Sequence, residues 1–341
     1  MVAKTLSKEE IERGMKLEGI FAPQTRELRD KKFISDNGPN APSESARIFF
    51  AHYTSAEAAI KILRSKRPWM RSTTCMVDFS EVEFGYRILQ NYFRQQDKKN
   101  ALLNAVNAIE ENSGDQAVTA FDRLWNQLRF DTYISCFSEH DAREEGDIGR
   151  LSMWRAFASS SPRVALVFSV PWQANVPAAL GVFVSPCAYL KSHRSATLLD
   201  EVVANVEKER DFLRSLPKGT IAEWMLQSLM TIAACTKHYG FQEEREWRVI
   251  HAPVFGVPTQ VVRSKETVFQ GVPQTIFEIP FDGAVSPALA HLDLSVLLDR
   301  VIIGPTQFAN AIWKALVEAL VACGVQDPET KIRYSDIPIR S

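Results

Sequence analysis

The run Phe241-Gln242-Glu243-Glu244-Arg245-Glu246-Trp247-Arg248-Val249-Ile250-His251 constrains this chain more than any other stretch. It begins acidic and passes into Trp-Arg-Val-Ile, which has the aromatic and β-branched bias of a strand. Residues two apart on a strand share a side. Glu244, Glu246 and Arg248 are therefore expected on one face, with Trp247 and Val249 turned to the core. Neighbouring carboxylates repel, and a fold tolerates them best where a cation or a substrate compensates. The plain alternatives are a solvated edge strand, or an ion pair of Glu246 with Arg248 or Lys237 that only positions the strand.

With 40 basic and 41 acidic residues the net charge is −1, so no bulk field draws the chain to nucleic acid or a membrane surface. Cys75, Cys136, Cys187, Cys235 and Cys323 form no CxxC pair, which speaks against a zinc site or a disulfide framework and fits a reducing cytoplasm. The N-terminus lacks the apolar stretch of a signal peptide, and no run of about 18 apolar residues is present. A soluble cytoplasmic protein with no membrane partner is expected.

Residues 8–32 read as one or two charged helices and 37–45 as a loop, so 1–45 is treated as an N-terminal helical extension to a domain over 46–341. Arg47–Thr54 reads as a strand, with Ser55 capping a helix over Glu57–Arg64. Lys61, Arg64, Lys66, Arg67 and Arg71 follow without an acid, either a solvated face or a phosphate-contact surface. About 78–130 is helical, with Phe84, Ile88 and Tyr92 on one stripe and a break at 94–100; this block reads as an insertion into an α/β core. Asp78, Glu81 and Glu83 suit a first helical turn. Asp131–Ser138 returns to strand, and a charged loop over 139–150 is read as free to move. A short helix over 151–157, strands over 164–170 and 181–190, and helices over 197–214 and 219–235 follow. Short extended runs (260–269, 275–281), a buried strand ended by Gly304-Pro305, a helix over 311–323 stopped by Gly324, and a strand over 331–334 complete the chain.

Three polar clusters fall on strands. His52 and Thr54 share a face of the first, and Glu244 and Glu246 share a face of the third. Ser135 and Ser138, three apart on the second, need a bulge or the strand's end to face one site. The order of a His strand, a Ser-x-x-Ser strand and a Glu-x-Glu strand resembles the split-sheet site of ADP-ribosyltransferases. A wider resemblance rests on His52-Tyr53-Thr54-Ser55, Asp78 with Glu81, Ser135-Cys136-Phe137-Ser138, Ser152-Met153-Trp154, Lys237 with Phe241, Glu244-Arg245-Glu246-Trp247-Arg248, Ile303-Gly304-Pro305 and the tail through Ile337, Pro338 and Arg340. Over 47–341 these are similar to a bacterial family of unknown function associated with abortive infection and phage resistance. Ile339 departs from it where an aromatic residue is expected.

The resemblance implies an α/β (α+β) fold: a small ADP-ribosyltransferase-like split mixed sheet with a helical insertion and an N-terminal helical extension. It implies NAD as substrate, with Glu246 beside the nicotinamide ribose, where a fixed carboxylate stabilises growing oxocarbenium charge. Glu244 would orient or deprotonate the nucleophile. His52 would donate to the adenosine ribose or diphosphate, Thr54, Ser135 and Ser138 would brace the pocket, and Tyr53 or Trp154 would stack on a flat ring. The acceptor would be RNA, DNA or a protein side chain, with an antitoxin or regulatory protein as a further partner. No metal is expected. The alternatives are a non-catalytic nucleotide-sensing module of phage defence and a metal-dependent nuclease using the acids at 78–83 with Glu244, Glu246 and Lys237. His140, His193, His238, His251 and His291 match no paired-ligand pattern, and no GxGxxG, Walker or GxSxG motif is present.

Overall fold

The computed structural model describes residues 8–43, 45–75, 80–156, 161–172, 176–191, 197–264, 268–269 and 271–338. Asp78, Phe157, His193, Ile339 and Arg340 lie outside them, as does the side chain of Glu81. The described residues form thirteen α-helices: α1 Lys8–Phe21, α2 Pro23–Asn37, α3 Ala56–Ser65, α4 Ser80–Phe93, α5 Gln96–Asn107, α6 Ser113–Phe130, α7 Leu151–Ala156, α8 Val176–Leu180, α9 Leu198–Lys208, α10 Arg210–Arg214, α11 Thr220–Ala234, α12 Leu294–Leu297 and α13 Ala309–Cys323. None is long and apolar enough to cross a membrane.

The strands are β1 Arg47–Ser55, β2 Trp69–Ser72, β3 Tyr133–Glu139, β4 Arg163–Pro171, β5 Phe183–Pro186, β6 Ala188–Leu190, β7 Thr236–His238, β8 Glu246–His251, β9 Val262–Arg263, β10 Val268–Phe269, β11 Val272–Pro273, β12 Ile276–Glu278, β13 Leu298–Ile303 and β14 Ile332–Tyr334. Ten of them join one mixed sheet in the order β14-β13-β4-β1-β3-β2-β12-β9, with β8 on β3 and β5 on β8. The sheet is larger than expected from the sequence because short runs at both ends of the order join its edges. The pairs β6–β7 and β10–β11 stand apart.

Strand β3 is where the sheet divides. It pairs with β8 along Tyr133–Ser138, while β1 meets only its last residues (Phe50 to Glu139, Ala51 to Ser138) and β2 only its first. Two different strands thus share one edge of β3, and β1 departs after Ala51.

The β1–β4–β13 ladder is dry on its lower face. Val164, Leu166 and Val301 are fully buried against α3 and α13, and each such side chain contributes about 1.5–3 kcal/mol through burial. Ser55 Oγ accepts the Ala58 amide, capping α3 as expected from the sequence. A second core lies among α1, α4, α5, α6, α9 and α11 and includes Leu17, Phe21, Tyr92, Phe121, Trp125 and Met225. The 78–130 block therefore packs as a bundle with the later helices and the N-terminal hairpin. Gly85 allows the α4–α11 approach: a Cβ there would stand 2.4 Å from the Ala233 carbonyl oxygen.

Candidate functional site

The acidic run does not begin as a strand. Tyr239–Glu244 forms a 3₁₀ turn and Arg245 takes φ +43°, so β8 starts only at Glu246. Consecutive charged groups have little to bury in a ladder, and a tight turn leaves them at the rim. Glu244 and Glu246 consequently do not share a strand face as expected. They converge instead on Lys237 of β7.

Lys237 Nζ bonds Glu244 Oε2 and, at 2.8 Å, Glu246 Oε2, while Arg248 Nε bonds Glu246 Oε1 at 2.7 Å. Glu246 and Arg248 do share a face, as i and i+2 residues must. The Arg248 guanidinium also reaches the carbonyl of Ala234 at the end of α11. Burial by itself would raise the Glu246 carboxyl, but the Arg248 and Lys237 cations outweigh it and hold the pKa at about 2. Glu244 behaves oppositely: burial, with the Glu246 charge nearby, raises it against the pull of Lys237. The side chains differ in access, 27% exposed for Glu244 and 7% for Glu246.

The turn that presents Glu244 is stapled by Arg150. Its Nη1 donates to Ser138 Oγ (2.7 Å) and to the Glu243 and Glu244 carbonyls (2.7 and 3.1 Å); Nη2 donates to the Glu139 carbonyl and Nε to Glu145 Oε1. Ser138 Oγ donates to the Glu244 carbonyl. The 139–150 loop is thus pinned rather than free: His140 is fully buried, and Glu145 is buried beside His140 and Arg150. Glu145 and Arg150 find partners within the loop and the adjoining turn, and Asp147 pairs with Arg300 of β13 and Arg333 of β14.

His52 stands where β1 leaves β3. Its Nδ1 is 2.9 Å from the Cys136 carbonyl, in place of a further ladder bond, and its ring lies against Phe137. A carbonyl only accepts, so Nδ1 carries the proton. Burial lowers the His52 pKa, partly countered by that bond, so the ring is neutral near pH 7. Nε2 then accepts hydrogen bonds and cannot donate to a diphosphate, contrary to the expectation from the sequence. Nε2 has no partner among the described residues.

Register sorts the remaining candidates. Ala51, Ser138 and Glu246 lie side by side across β1, β3 and β8, so they and Tyr53 project to one face. His52, Thr54 and Ser135 alternate to the other. No bulge interrupts β3, hence Ser135 and Ser138 face opposite ways; Ser135 Oγ is buried with no hydrogen-bond partner among the described residues. Tyr53 and Trp154 stack edge-to-face on one another (4.9 Å) instead of offering a free ring. Tyr53 Oη accepts the Arg150 amide, and burial pushes its pKa up to about 12. Trp154 Nε1 donates to the Ile148 carbonyl.

Sequence reasoning missed Arg150, Tyr189 (whose hydroxyl accepts the Glu246 amide at 2.8 Å) and Cys136, whose buried thiol adjoins Glu246 and is raised by burial and by that charge. Tyr239 and Phe241, more than a third exposed, are the aromatic rings at the rim, Phe241 with Lys237 Nζ 5.1 Å from its centroid. Pairing of Lys237 with two acids seven and nine residues on was the one signal available in the sequence. Of the basic segment, Lys61 pairs with Glu57, Lys66 with Asp293 and Arg67 with Glu278, while Arg71 bonds Gln274. Among the described residues no group of three or more His, Cys, Asp or Glu is placed to hold a metal ion.

No curated protein and no solved structure matches the chain. Residues 153–249, from α7 to within β8 and so including Trp154, Lys237, Glu244 and Glu246, match a family described as Protein of unknown function (DUF2971).

Proposed function

We propose that this protein is an NAD-consuming ADP-ribosyltransferase-like effector of bacterial phage defence. One observation carries the reading: the His-, Ser- and Glu-bearing strands β1, β3 and β8 are immediate neighbours in one sheet, at the point where that sheet divides. At a strand spacing of about 4.8 Å, the backbones of Ala51 and Glu246 lie about 10 Å apart.

In this reading the roles of the two glutamates shift from the sequence expectation. Glu244 is the carboxylate a ribose can reach, and its raised pKa suits it to take a proton. Glu246, held anionic by Lys237 and Arg248, supplies a fixed negative field and sets Lys237 against Glu244. The ribose C1′–nitrogen bond breaks with its electron pair going to the nicotinamide ring, which leaves neutral. The acceptor attacks C1′ and gives its proton to Glu244. His52, on the opposite face of the sheet, has no part in this step, and Phe241 or Tyr239 stacks on a flat ring. Within the 61–71 segment Lys61, Lys66 and Arg67 already pair with Glu57, Asp293 and Glu278, which weighs against the tilt toward a nucleic-acid acceptor.

A non-catalytic nucleotide-sensing module is the second reading, favoured by the occupation of both Glu246 oxygens by cations. Incubation with NAD separates the two. Transfer predicts nicotinamide release that falls about 10²–10⁴-fold in Glu244→Gln while circular dichroism is unchanged. Saturable NAD binding with no nicotinamide released over hours establishes the sensor.

A further inference from the structure

A cavity of about 150 Å³ lies between α11, α6, the N-terminal hairpin α1–α2 and the β5–β8 edge of the sheet. It is separate from the carboxylate cluster: Glu244, Glu246, Lys237 and His52 are not on its wall. The wall is formed mostly by aromatic and aliphatic groups, among them Phe121, Trp125, Phe183 and Ile250. Dry apolar cavities of roughly this size, on the order of 150 Å³, take up single-ring molecules.

Several polar groups on the wall are already used. Ser228 Oγ donates to the Phe21 carbonyl, and Arg29 pairs with Glu18 (2.8 Å) while donating to the Val184 carbonyl at 2.6 Å. Those bonds tie α1 to α11, and α2 to α1 and β5, and so hold the wall in place without an occupant. Gln227 and Thr231, one helical turn apart on α11, also line the cavity, and their side chains have no hydrogen-bond partner among the described residues. A preformed apolar hollow with a few convergent, unspent polar groups is the arrangement of a small-molecule site. No unpaired charge lines it, since Arg29 and Glu18 neutralise each other.

We infer that this cavity binds a small, uncharged, single-ring molecule carrying one hydroxyl or amide group, with the ring among Phe121, Trp125 and Ile250 and the polar group on Gln227 and Thr231. The N-terminal hairpin thereby contributes a wall of a binding site. The inference is independent of NAD chemistry and stands or falls separately from it.

The probe is 4-fluorobenzyl alcohol, followed by ¹⁹F NMR on the full chain. A saturable broadening is expected, displaced by unlabelled benzyl alcohol, with 4-fluorobenzoate at least tenfold weaker because the cavity offers no spare cation. Thr231→Phe, which fills the cavity, should abolish it. Gln227→Leu should weaken the alcohol several-fold and leave 4-fluorotoluene unchanged. The inference is overturned if the alcohol shows no saturable effect, or if a folded Thr231→Phe binds it as well as the parent. Should Thr231→Phe not fold, Gln227→Leu decides, and equal behaviour of the alcohol and 4-fluorotoluene overturns the assignment.

Discussion

Two groups of cations in this molecule have the same composition and opposite physics. Lys61, Arg64, Lys66, Arg67 and Arg71 crowd a short segment with no acid among them, yet all but Arg71, which bonds Gln274, meet water or acids from elsewhere: the Lys61 side chain is 63% exposed beside Glu57. Lys237 and Arg248 are 3% and 2% exposed and clasp one carboxylate between them. The crowded segment is conspicuous in the sequence and electrically quiet in the fold. The buried pair is inconspicuous along the chain and holds the mouth of β8 together. Burial, not the density of charge along the chain, sets what each is worth, because two buried ions lose their water and cannot recover it if a partner goes.

The largest effect should come from breaking the buried clasp. Arg248→Met leaves Glu246 with Lys237 as its one cation and the Ala234 carbonyl without its guanidinium donor, and the expected loss is about 3–5 kcal/mol in urea-monitored unfolding. A loss under about 1 kcal/mol would put the clasp on the same footing as the surface pairs and erase the contrast. Next comes acid titration of the same group. The folded pKa of Glu246 lies below its ordinary 4.5, at about 2, so its contribution is fully present above 4.5 and drains away as pH falls toward 2. The raised carboxyl of Glu244 works the other way and blunts the effect. Unfolding curves from pH 6 to pH 2 should show the parent losing up to about 3 kcal/mol more than Glu246→Gln over that window. Parallel curves would mean that the cations do not hold Glu246 ionised.

Much of this was legible from the chain alone, for identifiable reasons. Ser55 capping α3, the apolar stripe through Ile88 and Tyr92, the stop at Gly324 (φ +86°) and the inward turn of Trp247 are local, and their periods or caps are written in consecutive residues. β1, β3 and β8 are adjacent in one sheet, but the side to which each candidate points differs from the expectation. Facing depends on register between strands far apart in sequence, and one residue of slip reverses it. Ser135 and His52 fell on the far face for that reason. The 139–150 loop misled in a different way. It read as free to move because Arg150, which gathers the carbonyls of Glu139, Glu243 and Glu244, serves a turn far along the chain.

The intermediate case tests whether the contrast is graded. Lys66 pairs with Asp293 at 3.0 Å, with side chains 23% and 15% exposed, so it stands between the two groups. Lys66→Met should cost no more than about 1 kcal/mol, since solvent still screens the pair. A cost matching Arg248→Met would show that partial burial suffices.

The smallest effect expected is none. Changing Lys61, Arg64 and Arg67 together to Ala should leave Tm unchanged and, if the protein binds RNA or DNA at all, leave the salt dependence of that binding unchanged. The reason is that Lys61 and Arg67 already have carboxylate partners in Glu57 and Glu278, so a phosphate would displace an acid and not only counterions. Were these side chains true phosphate contacts, each one removed should reduce the slope of log affinity against log salt by about 0.7–0.9. A drop of about 2 for the triple change would therefore identify the segment as a nucleic-acid surface. The exposed cations would then prove to be the ones that select a partner, while the buried ones only keep β8 in place.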